Sequence, residues 1–194
     1  MRINDTNHTV LHNIGGVISP EMELPKLMWI RESLPQSWQR IARVFDLTDY
    51  LTYRACGSSS RSLCTVGCKW TYQHKSSRCN YSRIICLSHE WSQGAAELPA
   101  TGWDSQFFQQ IGLGDLSCAN IGSHVAHIGT NLGTLTAQSA SDLGLGTHVC
   151  VSAGLIDAYA GALGLMCSLN TPHEGIIWFV CIGWMTFIET CFMV

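Results

Sequence analysis

A chain of 194 residues is long enough to form one domain with a sizeable core. A net charge of −3 with only 13% charged residues excludes a broad basic surface for nucleic acid. The polar start Met1-Arg-Ile-Asn-Asp-Thr-Asn-His has no signal-peptide apolar core, which points to the cytoplasm and makes the Asn-x-Ser/Thr triplets at Asn4, Asn7 and Asn80 chance matches.

In chain order, the pattern predicts a mixed α/β chain. Pro25 is placed to open a helix, with Leu27, Ile30 and Leu34 recurring on one face. Pro35 predicts a second helix, in which Trp38, Ile41, Ala42 and Phe45 fall at i, i+3, i+4 and i+7, the spacing of a core-facing helix. Asp46 reads as the cap of a third, with an apolar stripe of Leu47, Tyr50 and Leu51 and a stop at Gly57. Residues 73 to 101 have no clean period. An unstructured insertion of this length is uncommon inside a compact domain, and it reads as added coding sequence.

Beyond that stretch, Trp103, Phe107 and Ile111 mark a short helix stopped by Gly112. Thr136 caps another through Ala140 and Leu143, ending at Gly144. A β-prone run from Val149 to Ser152 feeds a turn at Gly154. The end, from Ile176 to Val194, is apolar enough to suggest a membrane span. Glu189 inside it, the lack of flanking basic residues and the lack of an aromatic belt argue against one. There is no internal repeat.

Two sets of side chains carry possible chemistry. The first is Cys64-x3-Cys68 followed by His74, Cys79, Cys86 and His89. Zinc takes four N/S ligands, usually as two close pairs, which Cys64/Cys68 and Cys86/His89 could supply. The ten cysteines are otherwise irregularly spaced and predict no disulfide framework. The second is Asp157, at the mouth of a run of small residues: Ala158, Ala160, Gly161, Ala162 and Gly164. A strand aims a carboxylate at a fixed point, and a helix start offers free N–H groups and partial positive charge. Such a site can hold an ionised base beside a phosphate. On the residues alone, a plain N-cap is the competing reading, and N-caps vastly outnumber catalytic bases.

Four blocks carry a resemblance. They are Ile14-Gly-Gly-Val-Ile-Ser-Pro-Glu21-Met-Glu-Leu-Pro25-Lys26-Leu-Met-Trp29-Ile, Phe45-Asp-Leu-Thr-Asp49-Tyr-Leu-Thr, Arg61-Ser-Leu-Cys64-Thr-Val-Gly-Cys68-Lys69-Trp70-Thr-Tyr72 and Ile156-Asp157-Ala-Tyr-Ala-Gly161. In this order they resemble the FGGY carbohydrate kinases, in particular the ribulokinase-like branch, over roughly residues 2 to 72 and 102 to 166. The resemblance implies an incomplete ribonuclease-H-like α/β domain of the actin-like ATPase superfamily, the N-terminal sugar-binding domain. It would cover residues 1–166, interrupted at about 73–101, with 167–194 an unmatched apolar tail.

The implied activity is ATP-dependent phosphorylation of a ketopentose such as D-ribulose on a terminal hydroxyl. Asp157 takes the place of the base, and Lys69 that of a lysine against sugar oxygens. A solvated Lys69 whose stem packs on Trp70 is the alternative. Glu21 and Lys26 would orient the Pro-opened helix, and Cys64 and Cys68 become small buried residues, so no metal ligand is expected. ATP and Mg2+ are implied as cofactors, yet most of their binding groups are missing: the sequence has no Asp-x-Gly-Thr phosphate loop and no Gly-Thr-Ser motif. The family's Trp-x-Asp-x-Arg sugar motif is absent too. A catalytically inactive truncated remnant or splice product of such a kinase is therefore the alternative function. The expected partner is a small-molecule sugar, with no nucleic acid and no membrane.

Overall fold

The computed structural model describes residues 3–73, 102–168 and 192–193. Two 3-10 helices, Ile3–Thr6 and Thr9–Ile14, lead into α1 (Glu23–Ser33) and the single turn α2 (Pro35–Trp38). Then come β1 (Val44–Phe45), α3 (Leu47–Cys56), β2 (Arg61–Ser62) and α4 (Leu63–Lys69). After residue 101 follow α5 (Ser105–Gln110), α6 (Cys118–Ile121), β3 (Val125–Ala126) and β4 (Asn131–Thr134). The order closes with α7 (Ala137–Leu143), β5 (Cys150–Ser152), α8 (Asp157–Ser168) and β6 (Phe192–Met193). β2 pairs parallel with β3, while β4–β5 and β1–β6 are antiparallel.

The first helix forms, starting at Glu23, two residues before the Pro25 expected to open it. Pro25 stands in the first turn of α1, where its missing N–H would have had no intrahelical partner. Leu24, Leu27 and Ile30 are buried, while Leu34 lies beyond the helix and is exposed. They join Val10, Leu11, Trp70, Phe107, Leu113 and Val125 in one apolar cluster. Asp104 caps α5 by accepting from the Phe107 N–H at 3.0 Å. Thr136 caps α7, which stops at Gly144 in the left-handed conformation. The strand expected at Val149–Ser152 is β5, starting one residue later.

Two expectations are corrected. The helix opened by Pro35 does not run to Phe45; it ends at Trp38, and Val44–Phe45 is a strand with both side chains fully buried. Consecutive buried residues suit a strand covered on both faces. Distant side chains also claim the carbonyls a longer helix would need. Asn120 Nδ2 donates to the Ala42 carbonyl at 2.9 Å, and Arg61 Nη2 to that of Val44 at 2.9 Å.

The second correction is the inward face of α3. Leu51 is 58% exposed, while Asp49 and Thr52 are buried. The helix turns its polar side inward because Asp49 receives the Ser62 N–H at 2.8 Å and the Thr65 hydroxyl at 2.6 Å. Its ends are as expected, with Asp46 accepting from Thr48 N–H and Gly57 closing it at φ +78°.

The stretch without a clean period lies, from residue 74 to 101, outside the described residues. Its two edges meet: the Gln73 N–H donates to the Gly102 carbonyl at 2.8 Å. Trp103 packs edge-on against Tyr72, with ring centroids 5.1 Å apart. Of the apolar tail, Cys167 and Ser168 end α8, and Phe192 and Met193 pair with Phe45 and Val44.

Candidate functional site

The candidate site is built where β5 hands over to α8. Backbone bonds tie Ala153 to the loop before β4: its N–H donates to Thr130 O at 2.8 Å and its carbonyl accepts from Gly129 N–H at 2.9 Å. Ile156 is buried, and its carbonyl accepts from Ala160 N–H at 3.0 Å, which starts the helix. Asp157 is therefore the first residue inside α8. Its side chain is exposed, and Oδ1 accepts from the adjacent Ala158 N–H at 2.8 Å. The carboxylate thus lies against the orphan N–H groups of a first turn, from within the helix rather than as a cap preceding it.

Among the described residues, the helix face beyond it is open. A Cβ added at Gly161 or Gly164 would meet nothing within 4 Å, and Ala160 and Leu163 are exposed. Among the described atoms, space remains beside Asp157 for another molecule.

Lys69 ends α4 and is half-buried. A cation there suits the partial negative charge of a helix C-terminus, an ordinary structural role for this side chain. The same end of α4 is joined to the first turn of α8 through Cys68. Cys68 interacts there with Cys64, one turn earlier, and with Tyr159. The Cys64 hydrogen bond holds the Cys68 thiol below its ordinary range despite burial, helped by Tyr159 and the Lys69 charge. Cys64 is pushed up by its interaction with Cys68 and by burial, and Tyr159 by burial and the charge of Cys68. Lys69 directly follows Cys68, and Asp157 stands two residues before Tyr159.

Cys86, His89, His74 and Cys79 of the possible zinc set lie outside the described residues. Among the described residues no three His, Cys, Asp or Glu side chains group as metal ligands. No step is assigned to a metal on this segment. Glu21 is half-buried; Lys26 pairs instead with the fully buried Glu23, at 3.1 Å.

Several residues that organise the site gave little sequence signal: Thr48, Asp49, Arg61, Ser62 and Tyr159. Arg61 is buried with its guanidinium 3.7 Å from the centre of the Phe45 ring. Burial lowers its pKa to about 10, with the nearby Asp49 opposing the shift, so it stays charged at neutral pH. The signal that could have found Ser62 is its place as the N-cap directly before the apolar start of α4. A surface hollow between α1 and α5, lined by Met28, Arg31 and Ile111 among others, contains none of these residues. No helix among the described residues is long and apolar enough to cross a membrane.

No family model matches the chain. Individual relatives do. An FGGY carbohydrate kinase domain-containing protein of Danio rerio is 45% identical over 170 residues, covering 85% of this chain and 27% of the relative. The Homo sapiens protein of that name is 40% identical over 170 residues, 85% of this chain and 26% of the relative. A D-ribulokinase of Saccharomyces cerevisiae is 32% identical over 171 residues, 84% and 21% of the two chains. Among solved structures, xylulose kinase from Rhodospirillum rubrum superposes with a TM-score of 0.55 at 18% identity, covering 82% of this chain and 27% of that one. The chain thus spans about a quarter of the length of the relatives it matches. The shared fold is a mixed α/β fold. In sequence over most of its own length, and in fold, this chain is a segment of the FGGY carbohydrate kinase family.

Proposed function

We propose that this segment is the base-bearing part of the sugar domain of an ATP-dependent carbohydrate kinase, acting on a ketopentose such as D-ribulose. The observation that carries the reading is the placement of Asp157: an exposed carboxylate at the first residue of a helix whose glycines face open space. An alcohol is a poor nucleophile at neutral pH. A carboxylate within hydrogen-bond reach of the sugar hydroxyl takes its proton as the new O–P bond forms. The small residues of α8 let substrate approach the backbone closely. Lys69, which follows Cys68 in α4, is proposed to contact sugar oxygens.

ATP supplies the phosphoryl group when bound. The groups that would orient it are the Asp-x-Gly-Thr and Gly-Thr-Ser motifs, which this sequence does not contain. A base without an oriented phosphoryl group gives little acceleration. The 194 residues alone are therefore expected to show no ATP-dependent phosphorylation of any pentulose. The choice of ketopentose rests on the D-ribulokinase among the relatives. A coupled ADP-release assay over a panel of pentuloses, in a full-length kinase carrying this segment, tests it. D-Ribulose should give the highest kcat/KM, and Lys69→Met should raise its KM with little change in kcat. Turnover by the isolated chain, or an unaltered KM in the Lys69 variant, would contradict the respective assignment.

A further inference from the structure

We propose that Thr48 and Ser62 are positioning residues for the Asp157 carboxylate, their hydroxyls fixing the two carbonyls that lead into the helix bearing it. The inference rests on the reading of Asp157 as the base. Four consecutive residues, 153 to 156, join β5 to α8, and each is held separately. Ala153 is bonded to Gly129 and Thr130. The Ser62 hydroxyl donates to the Gly154 carbonyl at 2.7 Å, and the Thr48 hydroxyl to that of Leu155 at 3.2 Å. Ile156 is buried, and its carbonyl accepts the Ala160 N–H that starts the helix.

The two hydroxyls come from different elements, α3 and the β2–α4 junction, and both are backed by Asp49. That carboxylate, buried on α3, receives the Ser62 N–H and the Thr65 hydroxyl. It thereby locks the start of α4 to the helix that carries Thr48. The contact is also close sterically: a Cβ at Gly154 would lie 2.6 Å from the Thr48 methyl. Only glycine allows the loop to approach this near. The arrangement fixes the first turn of α8, and with it the direction of the Asp157 side chain, without either hydroxyl touching a reacting atom.

The test is a double-mutant cycle on turnover of D-ribulose by a full-length kinase carrying this segment. Thr48→Val removes the hydroxyl and keeps the shape; Ser62→Ala removes the second donor. A base held even a fraction of an ångström off line loses rate, so the pair should lower kcat by about 10- to 100-fold. KM for the sugar should stay within about twofold. Thr48→Ser, which keeps the hydroxyl, should restore kcat. Gly154→Ala should reproduce the kcat loss.

The decisive comparison is the same pair in an Asp157→Asn background, where it should cost nothing further, because there is no base left to aim. Equal losses in both backgrounds would show a merely structural role and overturn the proposal. A drop from Asp157→Asn with none from the hydroxyl variants would overturn the positioning role alone. An unaltered rate in Asp157→Asn would remove the base and the proposal with it. Ser62 also caps α4, accepting from the Cys64 N–H at 3.2 Å. Should its variant fail to fold, Thr48→Val alone, with rescue by serine, carries the cycle.

Discussion

The two halves of the segment are held by different physics. Around α1, α5 and the first 3-10 helices, the interior is apolar apart from Glu23: Val10, Leu24, Leu27 and Phe107 are fully buried and pack in one cluster. Around α3, β2 and α4 the interior is polar: Asp49, Arg61, Ser62 and Thr65 are buried and hydrogen-bonded to one another or to backbone. The apolar half tolerates substitution in proportion to the volume lost. The polar half is less forgiving for its size, because each lost partner leaves another buried group unsatisfied. The candidate base is attached to the polar half, where directional bonds fix geometry that packing alone would leave looser.

Substitutions on each side sharpen that contrast. Phe107→Ala, in the apolar half, should cost the most stability, about 3–5 kcal/mol by denaturant unfolding, because it empties a fully buried site. Phe107→Leu should recover most of that loss. Asp49→Ala should cost about 2–3 kcal/mol, though it removes far less volume, since it strips the Ser62 N–H and Thr65 hydroxyl of their acceptor. A near-zero cost would show that the polar half is not held by this carboxylate.

Arg61→Lys should cost about 1–2 kcal/mol despite keeping the charge. The guanidinium contact over the Phe45 ring and the Nη2 bonds to the Val44 and Asn120 carbonyls cannot be reproduced by an ammonium. Gly57→Ala should cost about 1 kcal/mol, for conformational reasons alone. The site has open space for a methyl group, but its φ of +78° disfavours any Cβ. Smallest of all should be the effect of replacing residues 74–101 by a two-residue turn. Gln73 and Gly102 are already bonded across the junction, so the midpoint of thermal unfolding should not fall. A marked fall would make those residues part of the fold.

The contrast also explains what the sequence revealed. Apolar periodicity marked Leu27 and Ile30, and capping chemistry marked Asp46, Gly57, Thr136 and Gly144, because these signals are local. The same reasoning misplaced the chain at Ile41–Phe45, where a helical spacing is undone by Asn120 and Arg61, which are distant in sequence. It also misjudged the buried face of α3. Nothing near Asp49 in sequence announces that its partners are Ser62 and Thr65. Asp157 itself was found from a run of small residues after a β-prone stretch, and the structure sets it at the start of α8 as that pattern suggests. The hydroxyls beneath its loop were not, since Thr48 and Leu155 are brought together only by the fold.

The most direct test of the account is the rate of a full-length kinase carrying this segment with Asp157→Asn, measured by ADP release on D-ribulose beside sugar binding by calorimetry. The substitution keeps the shape and removes the base. Loss of general-base catalysis typically lowers turnover by about 10²- to 10⁴-fold, and the account predicts a fall of that order with sugar affinity largely retained. Unchanged turnover would contradict it, as would a loss explained entirely by weaker sugar binding.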